Sequence, residues 1–200
     1  MTSLRQYNLL YNDTHLLARD LSIDRVFDVL GASLLEHVAR HARRRLFVRA
    51  AVVAWQDRAI ILVARPSAGT THLVAGLCSE GARPYSDMFA ALDSKGRVHA
   101  YAATPNGAPN ARSDAKRSHT PLPVSLIVDA TYRKGARWRP RTLGPGQTAF
   151  ALLQYVVPGR AGAAFALRTL RRVAERAVML EGNRGEARDM TRCILDQLDT

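Results

Sequence analysis

The segment RAIILVARPSAGTTHLVAGL, residues 58–77, decides the fold of this chain. Residues 58–64 are mostly apolar and include β-branched side chains, which predicts a buried strand. Residues 65–72 are small or polar, and the apolar residues from Leu73 to Leu77 then begin a helix. A strand, a short loop and a helix in this order form the context in which phosphate-binding loops occur.

Further strands flank this unit. Residues 46–55, LFVRAAVVAW, are separated from the central strand only by Gln56 and Asp57, which predicts a hairpin of buried strands. Residues 85–93, YSDMFAALD, are interpreted as one strand carrying an acidic residue, and residues 124–132, VSLIVDATY, as another. Together with the helices, these strands predict an α/β protein.

Helices are predicted near both ends of the chain. Ser22 is placed to cap the first helix, and two amphipathic helices end the chain. The apolar residues of the first helix are Ile23, Val26, Phe27, Leu30, Leu34 and Val38. Those of the two final helices are Phe165, Leu167, Leu170, Val173, Ala174 and Ala177, and then Met190, Ile194 and Leu198. Residues 1–21 are treated as a polar N-terminal extension, and residues 104–123 as a mobile surface loop. The 200 residues suit a single domain, 1–200.

The charge balance is strongly basic. The chain has 29 Lys and Arg against 17 Asp and Glu, a formal net charge of +12, which favours a polyanion such as nucleic acid as partner. Only Lys95, Lys116 and Lys134 are lysines, however, and an arginine excess in an alanine-rich chain is typical of GC-rich codon usage. Nucleic acid therefore ranks below other partners.

The cysteines and the hydropathy pattern indicate in which cellular compartment the protein is expected. Cys78 and Cys193 are far apart and have no ligand-spaced histidines beside them, so neither a metal site nor a disulfide framework is predicted. No continuous apolar segment has the length of a signal peptide or a membrane span. We therefore expect a cytoplasmic protein without membrane association.

Residues 46–102 resemble the catalytic domain of HPr kinase/phosphorylase and its short stand-alone relatives, which share a P-loop core with PEP carboxykinases. That family has a His-containing strand, a second strand, the loop GxSGxGKST, a helix, and a tyrosine-containing turn with SDD ahead of another strand. The chain follows this order without a gap as far as RVHAY at residues 97–101. The resemblance implies a core of mainly β strands flanked by helices, and ATP-dependent phosphorylation of serine on a peptide.

The loop residues depart from the family pattern. Only the last glycine is kept, as Gly69, while Ala64 and Ser67 stand at earlier glycine positions. Thr70 replaces the P-loop lysine and Thr71 matches the Mg²⁺-binding hydroxyl. A threonine hydroxyl cannot neutralise the β- and γ-phosphates as a lysine does, and a Cβ obstructs the backbone amides that must turn toward the phosphate.

Three further positions also differ. His72 follows the two threonines, Arg49 stands where the family has its strand histidine, and the paired aspartates have become Asp87 and Met88. A chain that lacks the lysine, the histidine and one carboxylate together is not expected to be an ordinary ATP-dependent kinase. No cofactor is therefore expected. Nucleotide with Mg²⁺ is expected to bind only if phosphotransfer has been retained.

Three functions remain open at this point. The protein is a pseudokinase with a weak anion site at the helix N-terminus, or its pocket serves another reaction, or it is a phosphotransferase that borrows Arg49 or Arg65 as its cation. In the second case His72 is the general acid/base, Asp87 orients it or moves a second proton, and Arg49 clamps an oxyanion or carboxylate. Arg65, Ser67, Gly69, Thr70 and Thr71 then bind the substrate or its phosphate.

The partner is inferred from the resemblance. Short members of the family often accompany biosynthetic genes for ribosomally made peptides, which implies a peptide or a small biosynthetic intermediate as substrate. The basic segment RKGARWRPR, residues 133–141, is interpreted as a flexible connection rather than a nucleic-acid clamp. A basic face formed by Arg168, Arg171, Arg172 and Arg176 suits solvent, an acidic peptide or a second subunit, so self-association stays open.

Overall fold

The computed structural model describes residues 5–63, 69–101 and 120–198 and has a mixed α/β fold. The strands are β1 Asn8–Asn12, β2 His15–Asp20, β3 Leu46–Trp55, β4 Arg58–Val63, β5 Arg83–Ser86, β6 Phe89–Leu92, β7 Arg97–His99, β8 Leu122–Tyr132, β9 Arg141–Leu143 and β10 Val178–Arg184. The helices are α1 Ile23–His41, α2 Thr70–Ser79, α3 Pro145–Leu153, α4 Ala163–Ala174 and α5 Ala187–Asp196.

The centre of the main sheet is a parallel group of three strands. Strand β8 pairs in parallel with β4 on one side and with β10 on the other, and β9 pairs antiparallel with β10. Strand β3 joins the group as the antiparallel partner of β4. Strands β6 and β7 connect β3 back to β8, so the pairing β3–β4–β8–β7–β6 closes on itself.

The sheet is covered on both faces, which explains why its strands are apolar throughout. On one face, α3 and α4 pack over a cluster that includes Ile61, Ile127 and Met179. On the other face, α2 and α5 cover a second cluster that includes Leu62 and Val128. Helix α2 therefore has a fixed position above the end of β4.

The hairpin predicted around Gln56 and Asp57 is confirmed. Strands β3 and β4 pair from Ala50–Val63 to Trp55–Arg58, and almost every residue between is buried. The helix predicted after the loop is present as α2, and the first helix as α1. The continuous apolar strands and the helical spacing of the apolar residues in the helices were sufficient to locate these elements.

The single strand expected over residues 85–93 is wrong, because two strands occupy this region. Strand β5 pairs with the second half of β3 and β6 with its first half, and the chain leaves the sheet between them at Asp87 and Met88. The Ser86 hydroxyl bridges the break by donating to the Phe89 carbonyl oxygen at 2.6 Å. The change of register on β3 thus places Asp87 in a turn.

Other boundaries also differ. Residues 8–20 of the expected polar extension form the β1–β2 hairpin, and Ser22 makes no side-chain capping bond, since Asp20 instead accepts the Ser22 N–H at 2.8 Å. Strand β8 includes residues 122–123 of the expected loop, and residues 104–119 lie outside the described residues. Helix α4 ends at Ala174, before Ala177.

Besides the β1–β2 hairpin, three elements had no counterpart in the sequence interpretation, namely α3, β9 and β10. None of the helices in the described part of the chain is both long and apolar enough to cross a membrane.

Candidate functional site

The candidate site lies where the three parallel strands end. Val63 is the last residue of β4, and Tyr132 and Arg184 are paired residues at the ends of β8 and β10. Helix α2 begins at Thr70, directly above this edge. In open α/β sheets, ligands bind outside the carboxyl ends of the parallel strands, so this edge is the expected position for a site.

Gly69 connects the loop to helix α2 and has a left-handed backbone, with φ of 64°. Its carbonyl oxygen accepts the backbone N–H of His72 at 3.1 Å and that of Leu73 at 3.3 Å, which starts the helix. A Cβ at this position would collide with the Arg184 guanidinium. The glycine is therefore required both by its backbone conformation and by the close approach of the arginine.

Arg184 is the cation that the structure places against the end of the loop. Its side chain is buried, with 3% of the residue exposed, and donates from Nη2 to the Gly69 carbonyl oxygen and from Nη1 to that of Gly185, both at 2.9 Å. The guanidinium carbon lies 5.3 Å from the centre of the Tyr132 ring. Burial lowers the pKa of Arg184, while the nearby Glu186 and Tyr132 raise it.

A cavity of about 310 Å³ opens beside this arginine. It is lined by Gly69, His72, Tyr132, Arg184, Glu186 and Ala187. The Tyr132 hydroxyl donates to Glu186 Oε1 at 3.3 Å, and both of these side chains are exposed at the rim. An imidazole, a carboxylate, a phenol and a buried guanidinium thus surround a space large enough for part of a small molecule or peptide.

The predicted loop residues are only partly visible at this site. Thr70, Thr71 and His72 form the first turn of α2, where the backbone N–H groups and the helix dipole favour an anion. His72 is exposed and faces the cavity. Arg65 and Ser67 lie outside the described residues.

Arg49 has a different neighbourhood. Its Nη2 donates to Glu36 Oε1 of helix α1 at 2.8 Å, and its guanidinium carbon lies 5.7 Å from the centre of the Phe89 ring. Glu36 also accepts from Arg40, and these hydrogen bonds lower the pKa of the Glu36 carboxyl. The residue predicted to clamp an oxyanion thus ties α1 to the sheet.

Asp87 lies in the turn between β5 and β6 and is half-buried. It is close enough to Cys78 of α2 to act on the thiol: burial raises the pKa of Cys78, and the negative charge of Asp87 raises it further. Asp87 and His72 are therefore on different sides of α2, one beside Cys78 and the other in the cavity.

Three residues at this edge were missed from the sequence, Arg184, Glu186 and Asp129. Asp129 follows three apolar residues of β8, is 2% exposed, and accepts the Tyr155 hydroxyl at 3.2 Å. By strand alternation it lies on the α3–α4 face, opposite to Tyr132. A carboxylate directly after an apolar run was the available signal for Asp129, whereas Arg184 had none because β10 was not recognised.

A second cavity of about 350 Å³ lies beside the basic segment, between β8, β9 and β10. Arg141 and Glu181 form an ion pair at its edge, with Nη2 and Oε2 2.6 Å apart, and Trp138 packs against the hydrophobic cluster under α2 and α5. Trp138 is thus half-buried rather than presented for base stacking. Within residues 5–63, 69–101 and 120–198, no three His, Cys, Asp or Glu side chains are grouped so that they could hold a metal ion.

Comparisons with protein-family models, with curated proteins and with solved structures returned no match. The description of the site therefore depends on its geometry alone.

Proposed function

We propose that this is a kinase-derived protein of the HPr kinase type that no longer performs ordinary ATP-dependent phosphotransfer. It binds, or acts on, an anionic group of a peptide or small biosynthetic intermediate in the cavity beside α2. The observation that carries the proposal is the buried Arg184 guanidinium, which lies at the N-terminus of α2 and lines a cavity of about 310 Å³.

The topology supports a kinase origin. Strand β4 leads through the loop into α2, and β8 lies parallel to β4 as its neighbour. A phosphate-binding loop needs this arrangement, because the loop must pass over the ends of parallel strands before the helix begins. The kept Gly69, with its left-handed backbone, stands at the last turn before the helix.

The chemistry of the cavity supports a ligand other than Mg²⁺-ATP. Thr70 stands where a lysine is needed, and Arg184 cannot reach out as that lysine would, because it is buried and donates to two backbone carbonyl oxygens. Its charge still favours an anion within a few ångströms. Glu186 at the rim opposes a highly charged triphosphate more strongly than a single carboxylate or phosphate.

His72 is the group proposed to move a proton. It is exposed in the cavity, and Glu186 is the carboxylate that shares this cavity with it. An imidazole is suited to general acid/base work near neutral pH. Asp87, the other candidate for proton transfer from the sequence, lies near Cys78 on a different side of α2 and does not share the cavity with His72.

The anion site is tested with inorganic pyrophosphate as the probe, titrated by calorimetry without Mg²⁺. Glu186→Gln is expected to tighten binding about fivefold, since it removes roughly 1 kcal/mol of repulsion. The matched control is Glu175→Gln, an exposed glutamate of the α4 end that pairs with Arg171 and is not part of the cavity lining. Equal affinities for the two variants would show that pyrophosphate does not occupy this cavity.

A titration with ATP, with and without Mg²⁺, tests the loss of kinase chemistry. We expect no Mg²⁺-dependent binding in the micromolar range; such binding would reinstate the phosphotransferase. His72→Ala should abolish product formation in the organism if the cavity is catalytic, whereas Asp87→Ala, which lies outside the cavity lining, should not. Unchanged product formation with His72→Ala would instead assign the protein an accessory binding role.

A further inference from the structure

Helix α1 has an apolar stripe that the rest of the described chain leaves uncovered. Only Val26 and Ala39 of its 19 residues are buried. Ile23, Phe27, Leu34 and Val38, whose helical spacing predicted this helix, are 48%, 61%, 57% and 51% exposed. At 100° per residue they fall, together with Gly31, within about 80° of the helix circumference.

Gly31 lies midway along the length of this stripe, at one edge of its width. It is exposed, and a Cβ added there would meet no atom within 4 Å. Glycine inside a helix costs about 1 kcal/mol relative to alanine, and none of the residues that the structure describes requires it here. A missing Cβ midway along an apolar stripe allows a second helix to approach closely at that point.

The stripe is arranged symmetrically about Gly31. Phe27 and Leu34 lie four residues before it and three after it, and Ile23 and Val38 lie eight before and seven after. A two-fold axis through Gly31 would therefore place apolar residues against apolar residues along two antiparallel copies of α1. Isologous contacts of this kind require such a self-complementary pattern.

The charges along α1 are arranged in the opposite sense. Asp24 and Asp28 are near its start, where Arg25 is paired with Asp20, and the arginines at 43–45 follow its end, where Arg40 is paired with Glu36. An antiparallel pair of helices sets the acidic start of one copy beside the basic end of the other. The charges of the helix are thus complementary to those of a second copy in the same orientation that the apolar residues require.

The net charge of this region also favours a second copy. Residues 1–41 have four arginines and five carboxylates, while the remaining residues have 25 basic and 12 acidic side chains. Contacts through the remaining part of the chain would on average bring an excess of positive charge together. The N-terminal region has no such excess.

The exposed apolar area of α1 is a large part of what a stable dimer needs. Its four exposed side chains offer roughly 400 Å² of apolar surface per copy, about half of the 800 Å² that each partner contributes to an interface of standard size. The β1–β2 hairpin beside α1 also exposes Leu9, Tyr11 and Leu16, at 51%, 55% and 49%. We propose that a second copy of this chain covers this face, with the two α1 helices crossing at Gly31.

Sedimentation velocity of the full chain tests this dimer. The wild type is expected to sediment with twice the chain mass of 22.0 kDa, and Phe27→Asp to raise the dimer dissociation constant roughly 30-fold or more. Phe150→Asp is the control, because Phe150 of α3 is 79% exposed and lies outside this face, and it should leave the dimer unchanged. A monomeric wild type, or a dimer indifferent to Phe27→Asp, would overturn the proposal.

Gly31→Leu distinguishes a close helix crossing from non-specific hydrophobic association. Leucine is a good helix former and adds exposed apolar surface, so non-specific association would become stronger. At a close crossing the added side chain forces the helices apart, and association should weaken at least tenfold. Stronger association of this variant would contradict the crossing at Gly31, and circular dichroism of each variant verifies that the fold is kept.

Discussion

Replacing Gly69 by alanine is expected to lower the free energy of unfolding by about 3 kcal/mol. The left-handed backbone, with φ of 64°, costs a residue with a Cβ about 1 kcal/mol. The new Cβ would also displace the Arg184 guanidinium and break its hydrogen bonds to the carbonyl oxygens of Gly69 and Gly185. Loss of partners for a buried charged group adds about 2 kcal/mol.

Gly135→Ala is the matched control for this measurement. Gly135 has a similar φ of 74°, but a Cβ there would meet nothing within 4 Å. Its replacement should lower the free energy of unfolding only by the cost of the left-handed backbone, about 1 kcal/mol. Urea denaturation of both variants gives the difference, and equal losses would show that the arginine yields without cost.

Replacing Asp93 by asparagine is expected to destabilise the protein by about 2–4 kcal/mol. The carboxylate is 5% exposed, and Oδ1 accepts the backbone N–H groups of Lys95 and Arg97 at 2.8 and 3.0 Å. Oδ2 accepts Arg97 Nε and His99 Nε2, both at 3.1 Å. An asparagine would turn an NH₂ group toward Arg97 Nε and His99 Nε2. These two donors would then lose their acceptor, and the NH₂ group would have none either.

The same residue gives the stability a defined dependence on acid. Burial acts to raise the pKa of Asp93, but the hydrogen bonds from Arg97, His99 and Lys95 outweigh it and hold the pKa at about 2, below the ordinary 3.8. Its contribution, about 2 kcal/mol, is therefore complete above pH 3.8 and is lost as the pH falls toward 2. Asp93→Asn should lose this part of the pH dependence.

The control for Asp93 is Asp57→Asn, at the exposed turn between β3 and β4. Both replacements remove one carboxylate from a two-strand turn, so the change in net charge is the same. Denaturation between pH 2 and 7 should show a wild-type profile for Asp57→Asn and a flatter one for Asp93→Asn. Identical profiles would mean that the Asp93 contacts do not stabilise the fold.

Strands buried on both faces could be predicted from the sequence, and interrupted ones could not. Strands β3 and β4 are uninterrupted apolar segments, so their pattern identifies them. Strand β10, VMLEGNR, contains Glu181 and Asn183, because its second half passes the open end of the sheet, where polar residues are tolerated. The polar residues conceal the strand.

Only those residues of the candidate site that are close together in the sequence could be predicted. Gly69 and His72 are close in sequence to β4, and the structure places both at one cavity. Arg184 reaches Gly69 through the pairing of β10 with β8, a contact across 115 positions that no local pattern contains. Arg49 was assigned to the site by its position in the motif, but the carboxylate that binds it, Glu36, belongs to a separate helix.

The parallel pairing of β4 with β8 has a consequence for how the chain is synthesised. The ribosome must translate residues 64–121 after β4 before its partner β8 exists, and β10, at residues 178–184, emerges only near the end. Helix α2 is made soon after β4 and can cover one face of the apolar β3–β4 hairpin, but the other face stays uncovered until α3 and α4 follow. Non-local pairing of this kind forms slowly and leaves such strands open to aggregation. The yield of native protein therefore depends on how fast the sheet closes once synthesis is complete.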